Sequence, residues 1–225
     1  MSDFSTARQK MVDGQVRTND VTDRRILDAM TELPREDFVP EDKRALAYLD
    51  LDLDVTEEGG GGAAPRFLIK PMLTAKLLQA AEILETDSVL VVGAATGYAA
   101  AVAARLAGNV TATESDSALV ARGRAALGKL GLDGKVMFRT AEPAAGDPSG
   151  APYDVIFLNG ATEIAPETLY GQLKEGGRLV GVFAMTRPAR AMIVRRSHGE
   201  FGSRPLFDAA APLLPGLGRV PEFVF

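Results

Sequence analysis

The stretch Ser88-Val-Leu-Val-Val-Gly-Ala-Ala-Thr-Gly-Tyr98 constrains the fold of this chain more than any other. A strand buried on both faces reads as a continuous β-branched run, and a glycine just past its end lets the backbone turn tightly beside a ligand. The stretch therefore predicts the opening strand and loop of a nucleotide-binding α/β domain, with a helix starting at Tyr98. From residue 67 onward, strand-like and helix-like segments alternate. Strands are predicted at Asn109–Glu114, Val136–Arg139, Tyr153–Leu158, Arg178–Phe183, Ala191–Arg195 and Phe223–Phe225. Helices are predicted at Pro71–Leu84, Tyr98–Leu106, Ala118–Leu130 and Thr168–Leu173. That alternation specifies an α/β fold with a doubly wound, mostly parallel sheet covered on both faces.

Residues 1–66 read as an N-terminal helical cap ahead of this domain, which occupies 67–225. Phe4, Ala7, Met11 and Val12 fall near helical spacing, and a second helix follows with Ile26, Leu27 and Met30 as its apolar stripe and Asp20 or Thr22 at its start. Pro34 and Pro40 flank an extended segment anchored by Phe38 and Val39. From Ala45 to Asp54, leucines alternate with aspartates, which predicts a short strand with one apolar and one acidic face; the acids are a solvated face or, less simply, a site for a hard cation. Four consecutive glycines at 59–62 predict a mobile substrate loop or linker at the boundary.

Twenty-five basic against 30 acidic side chains leave a net charge of −5, so nothing in the overall balance favours nucleic acid or an anionic membrane as partner. There is no cysteine, which removes disulfides, thiolate metal sites and a thiol nucleophile. The first residues are polar and no window approaches the ~18 apolar residues of a membrane helix, so a cytoplasmic protein is expected. His198, the only histidine, reads as a surface or strand-end residue rather than a catalyst.

Glu114 ends the second strand, 21 residues after Gly93, and in a doubly wound sheet these two places are neighbours at the carboxyl edge. A carboxylate there can accept both ribose hydroxyls of an adenosine-containing ligand. A dinucleotide fingerprint needs a small residue where Tyr98 stands, and no lysine follows the glycines as a phosphate-binding Walker loop requires. The pattern Gly93-x-Ala95-x-Gly97 instead resembles the loop of Rossmann-like S-adenosylmethionine-dependent methyltransferases. The bland alternative is a tight strand-to-helix turn with no ligand.

The segments Met11-Val-Asp-Gly-Gln-Val-Arg, Asp23-Arg-Arg-Ile-Leu-Asp-Ala-Met, Pro34-Arg-Glu-Asp-Phe-Val-Pro40 and Ala47-Tyr48-x-Asp50 occur in that order in the cap. With Pro71-Met72, Gly97-Tyr98, Tyr153-Asp154 and Leu173-Lys-Glu-Gly-Gly-Arg-Leu-Val180, they resemble the protein-L-isoaspartate O-methyltransferase family over about residues 8–183. The resemblance implies an enzyme that methylates the α-carboxyl of isoaspartyl residues in damaged proteins or peptides, with S-adenosylmethionine as cofactor and no metal. It assigns Gly93, Ala95, Thr96, Gly97, Tyr98, Glu114, Glu142 and Asn159 to the cofactor, and places Ile69 and Lys70 at the methyl-transfer site.

The departures from the family pattern cluster at that site. Pro65-Arg-Phe-Leu-Ile-Lys-Pro71 stands where the family has Gly-Gln-Thr-Ile-Ser-Gln-Pro, so Ile69 replaces the serine, Phe67 the threonine and Lys70 a glutamine. Val91 replaces the acid two places before the first loop glycine, and Ala95 replaces the middle glycine. Two readings follow: a methyltransferase, either retaining isoaspartyl specificity or turned to another acceptor, in which Lys70 attracts an anionic substrate, or a non-catalytic relative that uses the fold to bind S-adenosylmethionine or a partner protein.

Overall fold

Seven strands form the central sheet in a computed structural model that describes residues 4–56 and 64–220. The cap contributes α1 (Phe4–Met11), which runs on through a π-helical turn at Val12–Val16 and a 3-10 turn at Arg17–Asn19, and α2 (Arg24–Glu32). A two-stranded ribbon, β1 (Leu53–Asp54) with β2 (Phe67–Leu68), leads to α3 (Pro71–Ala81). The sheet then follows as β3 (Ser88–Val92), α4 (Tyr98–Ala103), β4 (Asn109–Glu114), α5 (Ser117–Lys129), β5 (Val136–Thr140), β6 (Tyr153–Thr162), α6 (Glu167–Tyr170), β7 (Leu173–Phe183), β8 (Arg190–Ser197) and β9 (Glu200–Asp208). Its order is β5-β4-β3-β6-β7-β8-β9: the first five are parallel, and β8 and β9 add antiparallel at one edge. Chain direction therefore reverses its progress between β3 and β6, the place where open α/β sheets take ligands.

The two faces are covered unequally. Val89, Val91, Ala112, Phe138, Val155, Phe157 and Val182 pack in one buried cluster with α1 through α5. Leu90, Val92, Ile156, Leu158 and Leu179 pack against α6 and the C-terminal leucines Leu214 and Leu217. The C-terminal segment reaches this face by pairing with the end of β6: Ala161 donates to the Pro212 carbonyl at 2.8 Å, and Leu214 donates to the Ala161 carbonyl at 2.9 Å.

Several boundaries differ from the sequence expectations. Asp23, not Asp20 or Thr22, caps α2 by accepting from the Arg25 N–H; Asp20 adopts a left-handed turn, and the Thr22 N–H is bound by Gln79. The segment between the prolines is a 3-10 turn at Arg35–Phe38 rather than extended, although Phe38 and Val39 are both buried as anchors. Alternating Leu and Asp at 49–54 yields only the two residues of β1, and Leu49 is exposed. The carboxylates instead bind backbone: Asp52 accepts from the Lys70 N–H (2.9 Å) and Asp50 from the Met72 N–H (3.2 Å), both at the N-terminus of α3, while Asp54 accepts from Thr56. That helix stops at Ala81 because Glu82 turns left-handed, so Leu84 lies outside its apolar stripe and is exposed. The α6 helix is a single turn at Glu167–Tyr170, with Leu173 already in β7. The strand β9 was not foreseen, and the four-glycine stretch and Phe223–Phe225 lie outside the described residues.

Candidate active site

The carboxyl edge of β3 is shaped by three left-handed residues in alternation, Gly93 (φ 65°), Ala95 (φ 52°) and Gly97 (φ 93°). The loop is tied to the next strand, with Ala94 donating to the Thr113 carbonyl at 2.9 Å, and it closes on itself through Gly97 N–H to the Ala94 carbonyl at 2.8 Å. Asn159, at the same edge of β6, donates to the carbonyls of Gly93 (2.9 Å) and Phe67 (3.2 Å), so it holds the loop's main chain to β2. The Leu214 side chain lies on Gly93 and Gly160, and its Cδ2 leaves no room for a Cβ at Gly93.

Glu114 ends β4 beside this loop, as the spacing required, and its side chain is fully buried. Its Oε2 accepts from the Ala95 N–H at 3.0 Å. Its Oε1 accepts from Ser115 N–H (2.8 Å) and Asp116 N–H (3.1 Å), and from Arg66 Nε at 2.7 Å. Arg66 is itself only 7% exposed, and its remaining donors go to Ser115 Oγ (2.5 Å) and the Ala64 carbonyl (2.9 Å). The donor set at this edge fits an adenosine-containing cofactor, since a carboxylate meets a left-handed loop at the switch point. The space at the carboxylate, however, is filled by the Arg66 guanidinium.

Other predicted residues divide sharply. Thr96 does not face the edge: it is buried, and its hydroxyl donates to the Phe38 carbonyl of the cap. Tyr98 is likewise interior, packed edge-on to Phe38 (centroids 5.6 Å apart), with the Arg35 guanidinium 4.7 Å from its ring centre. Burial pushes its hydroxyl up to about 12, against the pull of Arg35. Glu142 follows β5 and is exposed. The Ile69 side chain is buried, and its carbonyl accepts from Arg35 Nη2 at 3.0 Å. Lys70 is half-buried and lines a cleft of about 300 Å³ with Asn19, Lys76 and Phe207. His198 sits in the β8–β9 turn, exposed, with its main-chain N–H bound by Glu175.

Sequence reasoning missed Arg66, Arg35 and Leu214. Arg35 spans the cap, donating also to the Ala47 carbonyl at 2.9 Å, and so fixes the backbone at Ile69 from below. The available signals were a basic residue inside the altered Pro65–Pro71 segment and an apolar Pro212-Leu-Leu-Pro215 run with no strand of its own.

With this geometry established, comparison with known proteins is decisive. The sequence model for protein-L-isoaspartate(D-aspartate) O-methyltransferase matches residues 6–205. The chain belongs to the protein-L-isoaspartate O-methyltransferase family. Family members named protein-L-isoaspartate O-methyltransferase include one from Methylorubrum extorquens strain PA1, 38% identical over 96% of this chain and 92% of the relative. Another, from Rhodopseudomonas palustris strain CGA009, is 36% identical over 94% and 95%. A solved protein-L-isoaspartate O-methyltransferase superposes with a TM-score of 0.81 at 26% identity, covering 94% of this chain and 67% of that one. A Plasmodium falciparum protein described as a putative member, solved in complex with S-adenosyl-L-homocysteine, shares the fold with a TM-score of 0.76 at 16% identity, over 92% and 97%. The family is one of S-adenosylmethionine-dependent transferases with a Rossmann-like sheet.

Proposed function

We propose that this chain transfers methyl groups to the free carboxylate of isoaspartyl residues in damaged proteins or peptides, at the carboxyl edge of β3 and β4. The observation that carries this reading is Glu114, placed at the end of β4 with its Oε2 on the Ala95 N–H of the left-handed loop. A carboxylate so placed receives the ribose hydroxyls of S-adenosylmethionine, while Gly93, Ala95 and Gly97 give its backbone approach and Asn159 holds the loop's main chain. When bound, the cofactor supplies a methyl group on a sulfonium sulfur, open to in-line attack by a carboxylate oxygen.

The chain then has little proton chemistry to perform. An acceptor carboxyl with an ordinary pKa near ~4 is ionised at neutral pH, so no general base is needed. Lys70, whose ammonium makes no ion pair among the described residues, draws that anion toward the site. Arg35 positions the segment by holding the Ile69 carbonyl. Residues 1–66 act as the cap and 67–225 as the cofactor domain. Among the described residues no helix is long and apolar enough to cross a membrane, and a cytoplasmic location accords with a substrate drawn from ageing proteins.

Ile69 favours a second reading. A buried aliphatic side chain stands where the family carries a hydroxyl, as expected of a relative that binds the cofactor without transferring from it. Incubation with methyl-labelled S-adenosylmethionine and paired isoaspartyl and aspartyl peptides separates the two. Base-labile label is expected on the isoaspartyl peptide alone, and it is lost in Glu114→Gln. Cofactor binding without transfer to the peptide would establish the non-catalytic reading.

A further inference from the structure

Resting on the cofactor site proposed above, we propose that Arg66 competes with the cofactor ribose for Glu114, so that this arginine sets cofactor affinity. Glu114 Oε1 is fully engaged by the chain itself, whereas Oε2 holds a single donor. Oε1 accepts from three N–H donors, those of Arg66, Ser115 and Asp116, with the Ser115 hydroxyl also donating to it at 3.3 Å, and Oε2 accepts from Ala95. A carboxylate offers about four acceptor sites, so both hydroxyls of a ribose cannot pair with both oxygens as they stand unless a donor leaves.

Three of the four N–H donors cannot leave cheaply. Ser115 and Asp116 form the main-chain turn from β4 into α5, and Ala95 belongs to the loop that opens α4. Arg66 is the only side chain among these N–H donors. It stands next to exposed Ala64 and Pro65, so its guanidinium can withdraw without moving either strand. The ion pair also makes Arg66 a costly competitor to displace: it is charge-assisted at 2.7 Å, nearly excluded from water, and steadied by Ser115 Oγ at 2.5 Å. Arg66 thus puts a cation on the carboxylate that the ligand needs.

The outcome expected of competition is opposite to that of a merely structural role. Calorimetric titration of the full chain with S-adenosylhomocysteine is expected to show Arg66→Gln binding on the order of tenfold tighter than the unaltered protein, the value of a displaced hydrogen bond to a charged group. Ser115→Ala, which removes both the acceptor that steadies Arg66 and a hydroxyl donor to Glu114 Oε1 (3.3 Å) while leaving the main-chain donors in place, is expected to bind severalfold tighter and serves if the arginine variant does not fold. Affinity that is unchanged or weaker in the variants, with the unaltered chain binding, would overturn the competition and leave the methyltransferase reading standing. Absence of binding in all three would overturn both.

Discussion

Ala95 is the one non-glycine among the three left-handed residues of the β3 loop. Its φ of 52° puts a Cβ in the left-handed region, a conformation that costs an L-residue roughly 1–2 kcal/mol and glycine almost nothing. Glycine gives back part of that gain through the greater freedom of its unfolded chain. Ala95→Gly is therefore expected to stabilise the fold by about 0.5–1 kcal/mol, read as a higher urea midpoint at unchanged slope; an equal or lower midpoint would show that the loop carries no such strain. At this scale legibility was uneven. Glu114 could be placed from its distance along the chain to Gly93, because strand length and sheet topology fix where a strand-end residue emerges. The packing of Thr96 and Tyr98 could not be read, because a helix-start residue faces either the edge or the cap, and only Phe38 and Arg35 decide which. Arg66 was invisible as a partner of Glu114, since an ion pair across 48 residues leaves no mark in spacing.

At the scale of elements, the sheet is held at its opposite end by Asp154 near the start of β6. Its Oδ2 accepts from the Ser88 N–H at 2.8 Å, the first residue of β3, and from Lys174 Nζ at 2.6 Å in β7. Burial works to raise this carboxyl, but the Lys174 bond and the Ser88 N–H outweigh it and hold it below the usual range. A carboxyl that ionises more readily folded than unfolded adds stability above its unfolded value of about 3.9, and that contribution disappears as pH falls through the lower folded value. Melting temperatures are expected to fall more steeply below pH 4 in the unaltered protein than in Asp154→Asn, which should be the less stable of the two at pH 7. Parallel slopes would exclude Asp154 as a contributor. The strands around it were legible because they are buried on both faces and so written as apolar runs. β9 was not: Glu200-Phe-Gly-Ser-Arg-Pro205 is an exposed edge with a proline and a glycine, and no covered face imposes alternation on it. The Leu-Asp alternation misled for the converse reason. A period of two arose from acids recruited to the N-terminus of α3, whose free N–H groups Asp50 and Asp52 satisfy.

Across the whole molecule, the N-terminal helices and the sheet share one buried cluster that runs from Met11 to Ile193, so those helices complete the core. The alternation of elements was enough to read the architecture, whereas the crossing of the C-terminal segment onto the β3–β6 crevice was not, because among the described residues a single isolated bridge, Ala161 with Leu213, marks it as sheet-like. Leu214 and Leu217, at 4% and 1% exposure, are nevertheless core residues. Burying each contributes roughly 1.5–3 kcal/mol. A chain cut after Ala211 is thus expected to lose about 3–6 kcal/mol in equilibrium urea unfolding, and a loss under 1 kcal/mol would mean that the segment merely rests on the surface.

The same segment sets an order of events at birth. Domains are made and begin to fold from the N-terminus as the ribosome delivers them. Gly93 emerges early, but the leucine that packs on it arrives 121 residues later. A nascent chain can pair β3 with β4 and β6 long before that, yet it holds an open crevice at the loop until translation has passed Leu217. The crevice beside this loop is therefore closed well after the strands that frame it are made.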